Sequence, residues 1–123
     1  MIINLIPQVR WGQKIWYNIE YQKITVTIDG ATDVFDFRDM EDGELEIYDS
    51  EGKETVHTLL PENPIRKASK KDGILTVSIV FSIEHKEKDE RLTSPKPMTL
   101  SEFNSLMNSI AETRRLKKEK DIN

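Results

Sequence analysis

The chain has 123 residues, 37% apolar and 33% charged, with a net charge of −4. That length suits one domain around one core, and the charged share exceeds the ordinary ~25%, so the surface must be strongly ionic. With no cysteine and two histidines, disulfides, thiol nucleophiles, iron–sulfur clusters and cysteine-held zinc are excluded, and the mild acidity offers no general attraction for nucleic acid.

In chain order, the opening Met1 to Pro7 has no basic flank and only a brief apolar run, so it does not read as a secretory signal. No apolar stretch reaches the ~18 residues of a membrane span, and the expectation is a soluble protein made in the cytoplasm. Ile2 to Ile6 and Ile15 to Tyr21 read as strands, with Gly12, between Trp11 and Gln13, marking a turn or bulge. Ile24, Val26 and Ile28 alternate with Thr25 and Thr27, a half-buried strand. Asp29-Gly30 turns it into a return strand through Phe35 and Phe37. Leu45 and Ile47, alternating with glutamates, make another. A turn at Ser50-Glu51-Gly52 leads to an expected strand from Thr55 to Leu60, closed by Pro61 and Pro64.

Ile65 to Lys70, then Asp72-Gly73, then Ile74 to Ile83 is the clearest hairpin. A type I′ turn needs φ > 0 at both central residues, and Asp-Gly supplies them. Leu75, Val77, Ile79, Phe81 and Ile83 share one face, while Ile74 and Val80 on the other mark a central strand with its second face partly covered. The mixed-charge run Glu84 to Arg91 is too polar to pack and reads as a strand end or mobile loop, continued by Ser94-Pro95-Lys96-Pro97 as an extended connector.

Thr99 stands three residues before Glu102, a capping box, with Met98 and Phe103 at the staple positions. Leu100, Phe103, Leu106, Met107 and Ile110 then form one apolar stripe, and the basic end from Arg114 to Lys120 matches the helix dipole. The reading is α+β. A mainly antiparallel β domain over 1–83, a hairpin-connected sheet or small sandwich, is followed by a charged connector over 84–98 and one amphipathic helix with a basic tail over 99–123.

Chemical signatures are sparse. His57 and His85 have no ligand spacing around them. The acidic stretch Asp36 to Glu44 fails as a calcium loop, because placing Gly43 at position 6 puts Arg38 at position 1. Neither a phosphate-binding glycine loop nor a nucleophile elbow occurs. The many carboxylates leave a hydrolase open as a third reading, without any pair to nominate. The residues singled out as protein-interaction sites are Trp11 and Trp16, near the N-terminus, and the stripe Leu100, Phe103, Leu106, Met107 and Ile110. That stripe either folds back on the sheet or docks on another subunit.

Three segments carry a resemblance: Ile24-Thr-Val-Thr-Ile-Asp-Gly30, then Val34-Phe-Asp-Phe-Arg-Asp-Met-Glu-Asp-Gly43, then Pro64-Ile65 with Lys71-Asp-Gly-Ile-Leu-Thr-Val77. Over about half its length the chain resembles small proteins encoded by phages and prophages of Gram-positive bacteria beside tail and tail-fibre proteins. The resemblance implies a virion-associated or tail-assembly protein that docks to tail, baseplate or fibre proteins. As an oligomer or assembly subunit it would have no catalytic residues, cofactor, metal, membrane or nucleic-acid partner. The alternative is a small phage-encoded accessory protein that inhibits a host factor.

Overall fold

The computed structural model describes residues 1–9, 15–47, 49–84 and 87–122, with side chains described to residue 113. Trp11, Gly12, Tyr48 and His85 therefore lie outside the described residues.

Two sheets close over one core. The larger has five strands in the order β5-β6-β7-β1-β8. These are β1 (Ile2–Val9), β5 (Gly43–Glu46), β6 (Ile65–Lys71), β7 (Ile74–Ile83) and β8 (Met98–Thr99). The smaller sheet is the meander β2 (Ile15–Glu20), β3 (Lys23–Ile28) and β4 (Ala31–Asp36). A four-residue helix, α1 (Glu90–Thr93), and the long C-terminal helix α2 (Leu100–Ile122) complete the fold. The α+β, mainly antiparallel reading holds.

The alternating strands read from the sequence are present because β-branched residues at every second position bury one face. Ile24, Val26 and Ile28 are fully buried, and Thr25 and Thr27 only partly. β7 is the central strand of the large sheet, flanked by β6 and β1. Residues of both sheets and of α2 belong to a single apolar cluster. Tyr17 ties the layers together. Its hydroxyl donates to the carbonyl of Val80 in β7, and its ring meets Phe103 of α2 edge-on, with centroids 6.4 Å apart.

Three expectations are corrected. Hairpin connections favour antiparallel neighbours, yet β1 runs parallel to β7 in register from Ile2↔Thr76 to Val9↔Ile83. The two strands are separated by the whole meander, β5 and β6, so no tight turn dictates their direction. Thr55 to Leu60 is not a strand but an irregular segment. The Thr55 amide bonds the Ile47 carbonyl at 2.7 Å, and Thr58 and Leu59 then turn to the Asp33 carboxylate instead of a ladder. The connector is also fastened rather than loose. Asp89 caps α1, Leu92 is buried, and Met98–Thr99 pairs with Ile3 and Ile2 of β1.

The capping box forms as read from the sequence. The Glu102 amide donates to Thr99 Oγ1 at 3.2 Å, and the Thr99 amide donates to Glu102 Oε1 at 3.2 Å.

Candidate functional site

The stripe proposed for docking is spent inside the molecule. Phe103, Leu106, Met107 and Ile110 are all buried in the chain's own core, so the interaction reading of these four is corrected. The physical reason is direct: an apolar stripe gains ~25 cal/mol for each Å² removed from water, and the sheet beside it supplies that burial within one chain. Leu100 is half-buried against the same core. Trp16 is half-buried as well, on the outer side of β2, and Trp11 lies outside the described residues.

Two other features gather polar groups. The first is a junction of three turns. Tyr21 and Gln22 close the β2–β3 hairpin, Asp72 and Gly73 close β6–β7, and the segment 37–43 crosses between them. The Gln22 side chain donates to the Gly73 carbonyl at 2.8 Å, and the Phe37 amide donates to the Gln22 carbonyl at 2.9 Å. Buried Lys70 places its ammonium 2.8 Å from the Phe37 carbonyl. Asp42 then accepts from the amides of Asp72 and Gly73, at 2.8 and 3.2 Å. Beside this junction Arg38 forks onto Asp36 at 2.6–3.1 Å, and that guanidinium holds the Asp36 carboxyl down to about 2.

The junction explains the acidic stretch. Asp42 caps a turn and Asp36 holds an arginine, so the stretch works as a clasp between the sheets. Phe37, Asp42 and the Asp72-Gly73 turn, which carry part of the resemblance, meet here as scaffold.

The second feature is a surface built around Asp33. One carboxylate oxygen accepts from the Val34 amide at 2.8 Å, the other from the Thr58 hydroxyl at 2.8 Å and the Leu59 amide at 3.0 Å. The Leu59 amide, ahead of the Thr58 hydroxyl and the Val34 amide, holds the carboxyl below its usual value, although partial burial pushes the other way. The two residues it braces are both exposed and apolar: Leu59 is 86% exposed and Val34 47%.

Val34 also belongs to the outer face of the meander, whose register is explicit. Trp16, Thr27 and Thr32 lie side by side in one row, and Asn18, Thr25 and Val34 in the next. The Thr27 and Thr32 hydroxyls bond at 3.1 Å. In a chain with one residue in three charged, these two rows hold no charge. The third row, Glu20, Lys23 and Asp36, is wholly ionic.

The remaining candidates are weaker. A groove of about 670 Å³ lies between α1, the connector and the start of α2. It is floored by Met98 and Leu106, and its rim mixes Glu90 and Glu102 with Arg91 and Lys96. Arg91 is engaged by Asp89 at 2.7 Å and Glu102 by the capping box, so two of its four charges already have partners. His57 is exposed on the irregular segment. Among the described residues, no group of three or more histidine, aspartate or glutamate side chains is placed to hold a metal. No described helix is long and apolar enough to cross a membrane. Sequence reasoning missed the roles of Asp33, Leu59, Gln22, Asp42 and Lys70, since each bonds a partner far along the chain.

Comparison with protein-family models, curated proteins and solved structures finds no match to this chain.

Proposed function

We propose that this chain is a non-enzymatic tail-module protein of a phage or prophage, made in the host cytoplasm and carried into the virion by docking on tail, baseplate or fibre proteins. The observation that carries the docking reading is Leu59, an almost fully exposed leucine whose amide is held by the Asp33 carboxylate. An anchor held in one conformation before contact loses little entropy on binding, and such residues dominate interface energies. The resemblance supports the tail assignment. Of its residues, Phe37, Asp42 and the Asp72-Gly73 turn do structural work at the junction.

The test is incorporation. Wild-type protein is expected in purified particles or tail intermediates by mass spectrometry, and Leu59→Ser with Val34→Ser is expected to lower its occupancy at least about tenfold. Normal incorporation of the double variant would remove the surface from the proposal. A wild-type protein absent from particles, yet bound stoichiometrically to one host protein, would replace the tail reading with inhibition of that host factor.

A further inference from the structure

We infer that the last turns of α2 form a basic arm that docks on the acidic β5 edge of a second copy of this chain. The inference is independent of the tail reading and stands on where the chain keeps its charge.

That charge is segregated along the sequence. Residues 39–54 hold eight carboxylates and one lysine, residues 114–123 hold five cations and two carboxylates, and all other residues together hold twelve of each sign. The net −4 is therefore one strongly negative segment and one positive segment on a neutral remainder.

The negative segment borders one sheet edge. β5 ends the order of the large sheet, and 39–42 leads into it. The chain beyond it turns back, with the Asp49 amide on the Lys53 carbonyl and the Thr55 amide on the Ile47 carbonyl. All eight acidic residues are exposed. Asp42 and Asp49 hold turn amides, and Glu44 and Glu51 reach lysines only at 3.8 and 4.0 Å. Glu41, Glu46 and Glu54 make no ion pair among the described residues.

The positive segment continues a helix that has left the core. Ile110 is buried, whereas Ala111, Glu112 and Thr113, about 100° apart around the axis, are all exposed. The apolar stripe stops there, because the positions three, four, seven and eight residues on are Thr113, Arg114, Lys117 and Lys118. The backbone nevertheless stays helical to Ile122.

A second copy is the occupant these charges select. α2 lies against β8 and β1, whereas β5 is the far edge of the same sheet, four inter-strand spacings of ~4.8 Å from β8. The arm therefore starts on the side away from the acids and meets them on a neighbouring molecule. Nucleic acid would be drawn to the arm and repelled by the net charge of the chain. The contact is heterologous, arm to edge, so copies add in line.

The experiment is sedimentation equilibrium of the full chain at rising concentration. The mass is expected to climb above the monomer at about 20 mM salt and to return to it near about 0.5 M, where ionic contacts are screened. Arg115→Glu with Lys118→Glu, or Glu41→Lys with Glu46→Lys, is expected to weaken association at least about tenfold. The variant carrying all four exchanges restores opposite charges and is expected to associate within about threefold of wild type. Far-UV circular dichroism reports the fold, and should a variant unfold, the salt dependence of the wild type alone decides. A monomer at every concentration in low salt overturns the inference, as does association indifferent to salt or a folded fourfold variant that stays apart. A monomeric chain that binds duplex DNA, and loses it on reversal of the arm, gives the arm to nucleic acid instead.

Discussion

Two turns of the same geometry stand side by side at the junction and reach it by different routes. Asp72 and Gly73 have φ of +52° and +77°, and Tyr21 and Gln22 have +22° and +53°. The first turn is written in its own residues, because glycine adopts the left-handed region freely and aspartate tolerates it. The second has neither. It is held by distant partners: the Gln22 side chain on the Gly73 carbonyl, and the Gln22 carbonyl under the Phe37 amide that Lys70 helps to place. Local chemistry specifies one turn and tertiary structure imposes the other.

Breaking that support is the largest expected effect. Lys70→Ala removes a buried stem and leaves the Phe37 carbonyl without its ammonium, and should cost about 3 kcal/mol in urea unfolding. Lys70→Met keeps the stem and should cost roughly half as much. Next comes the self-sufficient turn. At Gly73 an added Cβ would meet nothing within 4 Å, so Gly73→Ala isolates the backbone term and should cost about 1–2 kcal/mol. A smaller contrast lies at Gln22. Gln22→Ala loses the side-chain bond and keeps the left-handed strain, whereas Gln22→Gly loses the bond and relieves the strain. The glycine variant should be the more stable of the two by about 1 kcal/mol. If alanine proves equal to glycine, the strain argument for this turn is wrong.

The smallest effect is electrostatic. Asp36 and Asp33 have folded-state pKa values below their unfolded ones. Their contribution is therefore complete above the unfolded value of about 3.9 and is lost as pH falls through the folded value, which for Asp36 is about 2. Denaturant midpoints should drop across that window, and Asp36→Asn and Asp33→Asn should each flatten the drop. Asp36 is exposed, so its share is modest.

What the sequence disclosed follows the same division. Alternation in β3 and β7, the two Asp-Gly turns and the capping box are written in neighbouring residues, and each is found where local chemistry puts it. The partnership of β1 with β7, the turn at Tyr21-Gln22 and the irregular course of Thr55 to Leu60 are settled by partners far along the chain, and no local pattern announces them. The candidate surface falls on the unreadable side for that reason. Leu59 looks like any residue between a threonine and a proline until Asp33 is seen to hold it. The stripe of α2 was legible as a stripe, and its destination was not, because amphipathicity states that a face must be covered without stating by what.

The parallel pairing of β1 with β7 bears on how the molecule is made. Of the described strands, the first to leave the ribosome lies between the last long strand and β8, the short strand that leads into α2. At about 5–20 residues per second of synthesis, it waits several seconds for its neighbour to be translated. During that delay the meander can close on its own hairpins. The nascent Ile2–Val9 segment is then an adhesive ribbon in want of shelter, and a chaperone that shields it until Ile83 has emerged would raise the yield of native protein.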